Sequence, residues 1–222
     1  MTKREYLVSE PQGTATASVI WLHGLGADGK DFAGIVDQLG LPKDHSVRFI
    51  FPSAPFMNIT INNGMLMRAW YDIYDLNMLA REDMQGVKKS QQHIEEFIAH
   101  ELELGIPSNK ILLAGFSQGG AMALYTALNY ARPLCGAIVL SAYLPLSNTF
   151  AQQQFKHTQM PIFMAHGLYD PVVPYSFGLD SYNMLKQNDY NAEWFSYPMP
   201  HTVCLEEIAD IGEFMQECLC YA

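Results

Sequence analysis

The chain has 222 residues, 49% of them hydrophobic and 16% charged, with a formal net charge of −10. That length can bury a substantial core, and the composition is too apolar for a disordered chain. The acidic balance argues against a nucleic-acid partner, which calls for a basic face, and offers no basic patch to anionic lipid.

Residues 1–5 are polar and lead into no apolar h-region, and no apolar run is long enough to cross a bilayer. The expectation is therefore no secretory signal and no integral membrane segment. Cys135, Cys204, Cys218 and Cys220 show neither the CxxC spacing of redox and zinc sites nor a disulfide framework. They are read as reduced thiols, most of them in the core, of a cytoplasmic protein. No metal site and no cofactor is expected.

Residues 6–8 suit a short edge strand, and residues 17–22, β-branched and aromatic, a buried one. The next stretch, His23-Gly24-Leu25-Gly26-Ala27-Asp28-Gly29, satisfies G-x-G-x-x-G. A dinucleotide site also needs an acidic residue closing the following strand, to hold the ribose hydroxyls. That strand, residues 47–51, ends in Pro52-Ser53, so the nucleotide reading is rejected. A glycine-rich loop after a first strand can instead turn a backbone N–H toward a developing oxyanion, and Leu25 is the candidate donor.

Residues 56–67 are apolar but broken by Asn and Gly. They suit either a hairpin packed on the core or a flexible apolar lip beside a site, where methionines adapt to varied ligands. The lip is preferred, and such a lip can also be a homodimer surface. Residues 90–105 carry Ile94, Phe97, Ile98 and Leu102 on one helical face and stop at Gly105 and Pro107.

The apolar run from Ile111 ends in Gly115-Phe116-Ser117-Gln118-Gly119, and a helical pattern to Tyr130 follows at once. This is G-x-S-x-G at a strand-to-helix junction, where a sharp turn lifts a serine hydroxyl above the end of a sheet. Its glycines stand where backbones converge and a Cβ would collide. Gln118 can then offer a backbone N–H at the helix N-terminus. The bland alternative is a tight turn that happens to hold a serine.

Strands at 136–141, 161–165 and 193–197 follow, with a helix at 175–187 and a final helix carrying Leu205, Ile208, Met215 and Leu219 along one stripe. Strands alternating with helices imply a mostly parallel central sheet with helices on both faces. One domain over residues 1–222, with no separate lid domain, is expected.

An unassisted serine is a poor nucleophile; it needs an imidazole, and the imidazole a carboxylate. On an α/β-hydrolase these follow in the order Ser, Asp, His at strand C-termini, so only residues after Ser117 qualify. His157 lies in a polar run and reads as a solvated loop residue; His166 ends a strand and reads as a packed structural residue. His201, just past the last strand, is favoured as the base. Asp170, in a turn held by Pro171, is favoured as its carboxylate over Asp180 and Asp189 on a solvated helix face. His23 is read as a residue that helps fix the oxyanion loop.

The assembled motifs are Leu22-His23-Gly24-Leu25-Gly26, the Gly115–Gly120 elbow, His166-Gly167 through Asp170-Pro171-Val172-Val173-Pro174, and Pro198-Met199-Pro200-His201. With them the chain resembles the phospholipase/carboxylesterase family of serine hydrolases, which includes acyl-protein thioesterases and small bacterial carboxylesterases. The resemblance runs over nearly the whole chain. It implies an α/β-hydrolase fold, Ser117, Asp170 and His201 as catalytic triad, and Leu25 and Gln118 N–H groups as oxyanion hole. It also implies that Met65, Leu66, Met67 and Trp70 border an acyl-binding channel. One departure is Pro200, where family members usually have Gly; proline stiffens this loop and restricts Met199.

The leading expectation is ester or thioester hydrolysis through an acyl-enzyme, on a small-molecule, lipid or acylated-protein substrate. Two alternatives stand beside it: a non-catalytic binding module on a hydrolase scaffold, and an amidase or peptidase on the same fold.

Overall fold

The computed structural model describes residues 5–74, 81–152 and 157–220. Residues 1–4 and 153–156, the latter in the polar run before His157, lie outside them.

Nine strands and four α-helices are described: β1 (Tyr6–Ser9), β2 (Ala17–Leu22), β3 (Val47–Pro52), β4 (Phe56–Ile59), β5 (Met65–Arg68), α1 (Met84–Glu103), β6 (Ile111–Phe116), α2 (Gln118–Asn129), β7 (Gly136–Leu140), β8 (Ile162–Gly167), α3 (Tyr175–Gln187), β9 (Ala192–Tyr197) and α4 (Leu205–Met215). Seven strands form one sheet in the order β1-β3-β2-β6-β7-β8-β9. Only β1 runs antiparallel, on β3; every other pairing is parallel. The mostly parallel sheet expected from the alternating pattern is what forms.

The central strands are largely apolar because both faces are covered, and their side chains divide with period two. Ile20, Leu22, Leu113, Val139, Ile162 and Met164 enter the core under α1, α2 and α3. Val19, Trp21, Leu112, Ile138, Phe163 and Ala165 enter the opposite core, under α4 and the 3-10 helix Ala33–Gln38. A one-residue slip in any strand would exchange the two sets, so burial on both sides holds the register.

The chain leaves β2 toward β3 on one side of the sheet and leaves β6 toward β7 on the other. Between β2 and β6 the winding therefore changes direction, and the loops after these strands part to open a crevice at their carboxyl ends. The Gly24–Gly26 loop and the Ser117 turn both lie there.

Two expectations need correction. The first long helix begins at Met84, six residues before the expected start, because Asp83 caps it by accepting the Gly86 N–H at 2.9 Å. Val87 then extends the buried stripe. Among the thiols whose burial is described, Cys135 lies in the core, while Cys204 and Cys218 are half-buried against it; all three are free.

Residues 56–68 form a hairpin, β4 antiparallel to β5, outside the main sheet. The Asn and Gly that interrupt its apolar pattern serve the turn: Asn63 (φ 55°) and Gly64 (φ 75°) are left-handed. Ile59 faces the core, whereas Phe56, Met65 and Leu66 are exposed. The hairpin and lip readings thus describe two faces of one element.

Candidate active site

The Ser117 turn is strained, with φ 55° and ψ −124° between β6 and α2. This conformation is expensive for a residue with a Cβ and persists because its surroundings dictate it. The Ser117 N–H donates to Leu140 O at 2.8 Å. A Cβ on Gly115 would lie 2.4 Å from the Gly119 carbonyl carbon, and one on Gly119 2.2 Å from Leu22 O. Both glycines are therefore steric requirements of the turn.

Gln118 begins α2, so its N–H lies in the first turn, where no intrahelical acceptor exists. Its side chain does something the sequence did not suggest. Gln118 Oε1 accepts the Trp70 N–H at 2.8 Å, and Nε2 donates to Tyr71 O at 2.7 Å. The elbow helix thereby clamps the base of the hairpin.

The Gly24–Gly26 loop is held from three sides. His23 Nδ1 donates to Gly24 O at 2.7 Å, and Nε2 accepts the Ala54 N–H at 2.9 Å. Those two contacts need a neutral ring, and burial, the largest cause, lowers the His23 pKa against the raising effects of Gly24, Asp28 and Asp31. Trp70 Nε1 donates to His23 O at 2.9 Å, and Gly26 N–H donates to Arg68 O at 2.8 Å. A Cβ on Gly24 would stand 3.4 Å from Ser117 Cβ, so the start of this loop and the elbow are neighbours.

Asp170 and His201 sit on the turns after β8 and β9, adjacent parallel strands. The turns dock backbone to backbone: Leu168 N–H donates to Tyr197 O at 2.9 Å and Tyr169 N–H to Met199 O at 3.1 Å. His201 Nδ1 donates to Asp170 Oδ2 at 2.6 Å. With Pro200 in place, then, the imidazole reaches its carboxylate. Asp170 Oδ1 accepts the N–H groups of Val172 and Val173 at 2.8 and 2.9 Å. Burial pushes the Asp170 carboxyl upward, but hydrogen bonds from His166, His201, Val172 and Val173 together hold it well below the usual carboxylate range.

His166 is fully buried, as its packed reading anticipated, yet it belongs to the same network. Its Nε2 contacts Val173 O at 2.9 Å and lies 3.4 Å from Asp170 Oδ2. A carbonyl only accepts, so Nε2 carries the proton and also faces the carboxylate. A histidine four residues before the acid was its signal in the sequence.

The His201 ring packs on Phe116, the residue before Ser117, with centroids 4.6 Å apart. Among the contacts of the described residues, Ser117 Oγ and His201 are not hydrogen-bonded; such contacts commonly tighten only when substrate binds.

The hairpin brings Met67 beside the loop, its Sδ 4.0 Å from where a Gly26 Cβ would stand, while Met65 and Leu66 are exposed on the hairpin. Trp70 is a correction. It is buried among core residues, and the indole N–H is occupied by His23 O, so it supports the site from behind. The apolar residues that sequence reasoning missed are Leu168, Tyr169 and Val172, exposed around Asp170. Their signal was apolar side chains in a turn.

A phospholipase/carboxylesterase family model matches residues 4–219. Acyl-protein thioesterase 1 of Neurospora crassa is 41% identical, covering 98% of this chain and 93% of the relative. Acyl-protein thioesterase 1 of Cryptococcus neoformans is 36% identical over 98% of this chain and 99% of the relative. The crystal structure of Zea mays acyl-protein thioesterase 2 superposes with a TM-score of 0.86 at 29% identity, covering 97% of this chain and 99% of that one.

Proposed function

Given that the chain belongs to the phospholipase/carboxylesterase family of α/β-hydrolases and is a serine hydrolase of esters and thioesters, we propose that Ser117, His201 and Asp170 are its catalytic triad. The backbone N–H groups of Leu25 and Gln118 form the oxyanion hole. The 2.6 Å bond from His201 to Asp170, beside a strained serine turn, is the observation that carries this reading.

Ser117 Oγ attacks the carbonyl carbon while His201 Nε2 takes its proton. Asp170 keeps the other ring proton on Nδ1 and stabilises the imidazolium. The oxyanion is held by Leu25 and Gln118, each donor lowering the barrier by roughly 3 kcal/mol. The imidazolium then protonates the departing alcohol or thiol. Water, deprotonated by His201, attacks the acyl-enzyme and frees the acid.

The substrate is an acyl ester or thioester whose chain lies along the apolar rim of Phe56, Met65, Leu66, Leu168, Tyr169 and Val172. Acyl groups on protein cysteines are the favoured form, which the names of the fungal relatives support. The chain works as one domain in the cytoplasm; among the described residues no helix is long and apolar enough to cross a membrane. The exposed lip is also a candidate contact for a second copy of the chain, which light scattering tests.

A fluorophosphonate probe is expected to label the wild type at Ser117. Ser117→Ala is expected to hydrolyse short p-nitrophenyl esters at background. Labelling that persists in this variant sinks the assignment.

A further inference from the structure

An ester has two parts, and the apolar rim accounts for the acyl part alone. A second crevice, of about 560 Å³, opens directly against His201. Phe32 and Ile35, Phe116, and Val203 and Ile208 form its apolar walls, between the 3-10 helix Ala33–Gln38 and the start of α4. None of its lining residues comes from the β4–β5 hairpin or from the Asp170 turn. It is therefore separate from the acyl rim while sharing the imidazole.

We propose that this crevice is the leaving-group subsite, and that it selects apolar or cationic alcohols and thiols against anionic ones. The proposal rests on the triad reading above. His201 must hand its proton to the departing oxygen or sulfur, so that atom lies within hydrogen-bond reach of the ring. Whatever the atom carries must then extend along the wall that the ring forms, and this crevice is the space there.

Its lining sets the preference. Apolar walls reward burial of an apolar group. Among the described residues, Asp31 is, apart from the imidazole, the only charged side chain lining it, and no Lys or Arg does. An anionic group would enter without a counter-charge, facing Asp31 in a chain of net charge −10. Ile35, Val203 and Ile208 are thus specificity-determining by shape, and Asp31 by charge.

The test uses three octanoyl thioesters that share one acyl group and differ in the thiol: benzyl mercaptan, thiocholine and 2-mercaptoethanesulfonate. Because the acyl-enzyme is common to all three, differences in kcat/KM report acylation, where the leaving group is still bound. Each value is normalised to that ester's own hydroxide-catalysed rate. The expected result is a normalised kcat/KM roughly tenfold lower for the sulfonate than for the other two, with the gap between the charged pair narrowing at high salt.

Asp31→Lys is expected to invert the order of the cationic and anionic esters, and Val203→Asp to lower the benzyl ester most. Glu213→Lys makes the same change of net charge on an exposed position outside the crevice and should leave the order as it is. Equal normalised values for the three esters, or an order that Glu213→Lys inverts as well as Asp31→Lys, overturns the subsite while leaving the hydrolase reading intact. Failure to cleave any of the three overturns both.

Discussion

Replacing Asp170 by Asn preserves shape and changes only what each atom donates or accepts. In the native site all the contacts to Asp170 come from N–H groups: Val172 and Val173 on Oδ1, His201 on Oδ2, and His166 Nε2 at 3.4 Å. Asparagine has one acceptor oxygen. If that oxygen keeps the two backbone N–H groups, its NH₂ faces His201 Nδ1, which can accept only when unprotonated. The ring proton then moves to Nε2, and the nitrogen that must receive the Ser117 proton already carries one. The same NH₂ meets the His166 N–H donor to donor. Wrong-tautomer substitutions of this kind lower kcat about 10⁴-fold, or ~5.4 kcal/mol at 1.36 kcal/mol per decade. The assay is steady-state hydrolysis of a p-nitrophenyl ester near pH 7.5, with circular dichroism to show that the variant is folded. A folded Asp170→Asn enzyme with kcat within tenfold of wild type would refute the reasoning, because it would mean that the base does not depend on this carboxylate.

The depressed Asp170 pKa also contributes stability that is present above the ordinary carboxylate pKa and lost as pH falls through the folded value, so acid should cost wild type more stability than it costs Asp170→Asn. Chemical denaturation at pH 3 and pH 7 checks this through a narrowing gap. Gln118→Ala strips partners from the buried Trp70 N–H and Tyr71 carbonyl; at roughly 1–3 kcal/mol for each, the expected loss is about 2–6 kcal/mol. Its backbone donor survives, so kcat should fall by less than the roughly hundredfold loss that follows removal of an oxyanion donor. Glu207, fully buried on α4, has its carboxyl pushed up to about 8, chiefly by burial. Between 4.5 and about 8 the folded chain holds a proton that the unfolded chain releases, so stability falls as pH rises through this window. Glu207→Gln should therefore raise stability by ~3 kcal/mol at pH 7, 2.5 units above 4.5 at 1.36 kcal/mol each, and have no effect below pH 4. Urea midpoints at the two pH values decide it, and a gain equal at both would count against a titrating Glu207.

Features that depend on near neighbours were legible in the residues. The elbow is one, because the collision that demands Gly115 is with Gly119 and Gly120, within five residues of chain, although the one that demands Gly119 is with Leu22 across the sheet. The buried strands are another, since β-branched and aromatic runs between Gly and Pro mark a strand covered on both faces. The Ser, Asp, His order narrowed the partners of Ser117 to a few positions, and the turns after β8 and β9 bring two of them within 2.6 Å.

What the residues could not show depends on contacts distant in the chain. Trp70 was expected beside an acyl channel through resemblance alone; the fold buries it instead, with its indole N–H on His23 O, 47 positions away in the chain. Gln118 read as a backbone donor, while its amide proved to be the clamp on residues 70 and 71. The crevice beside His201 exists because α4 and the 3-10 helix pack on the same face of the sheet, which no local pattern encodes. Steric and periodic rules act over a few residues and can be read along the chain. A cavity wall or a clamp is set by which side chains meet after the strands have paired, and that geometry belongs to the folded molecule alone.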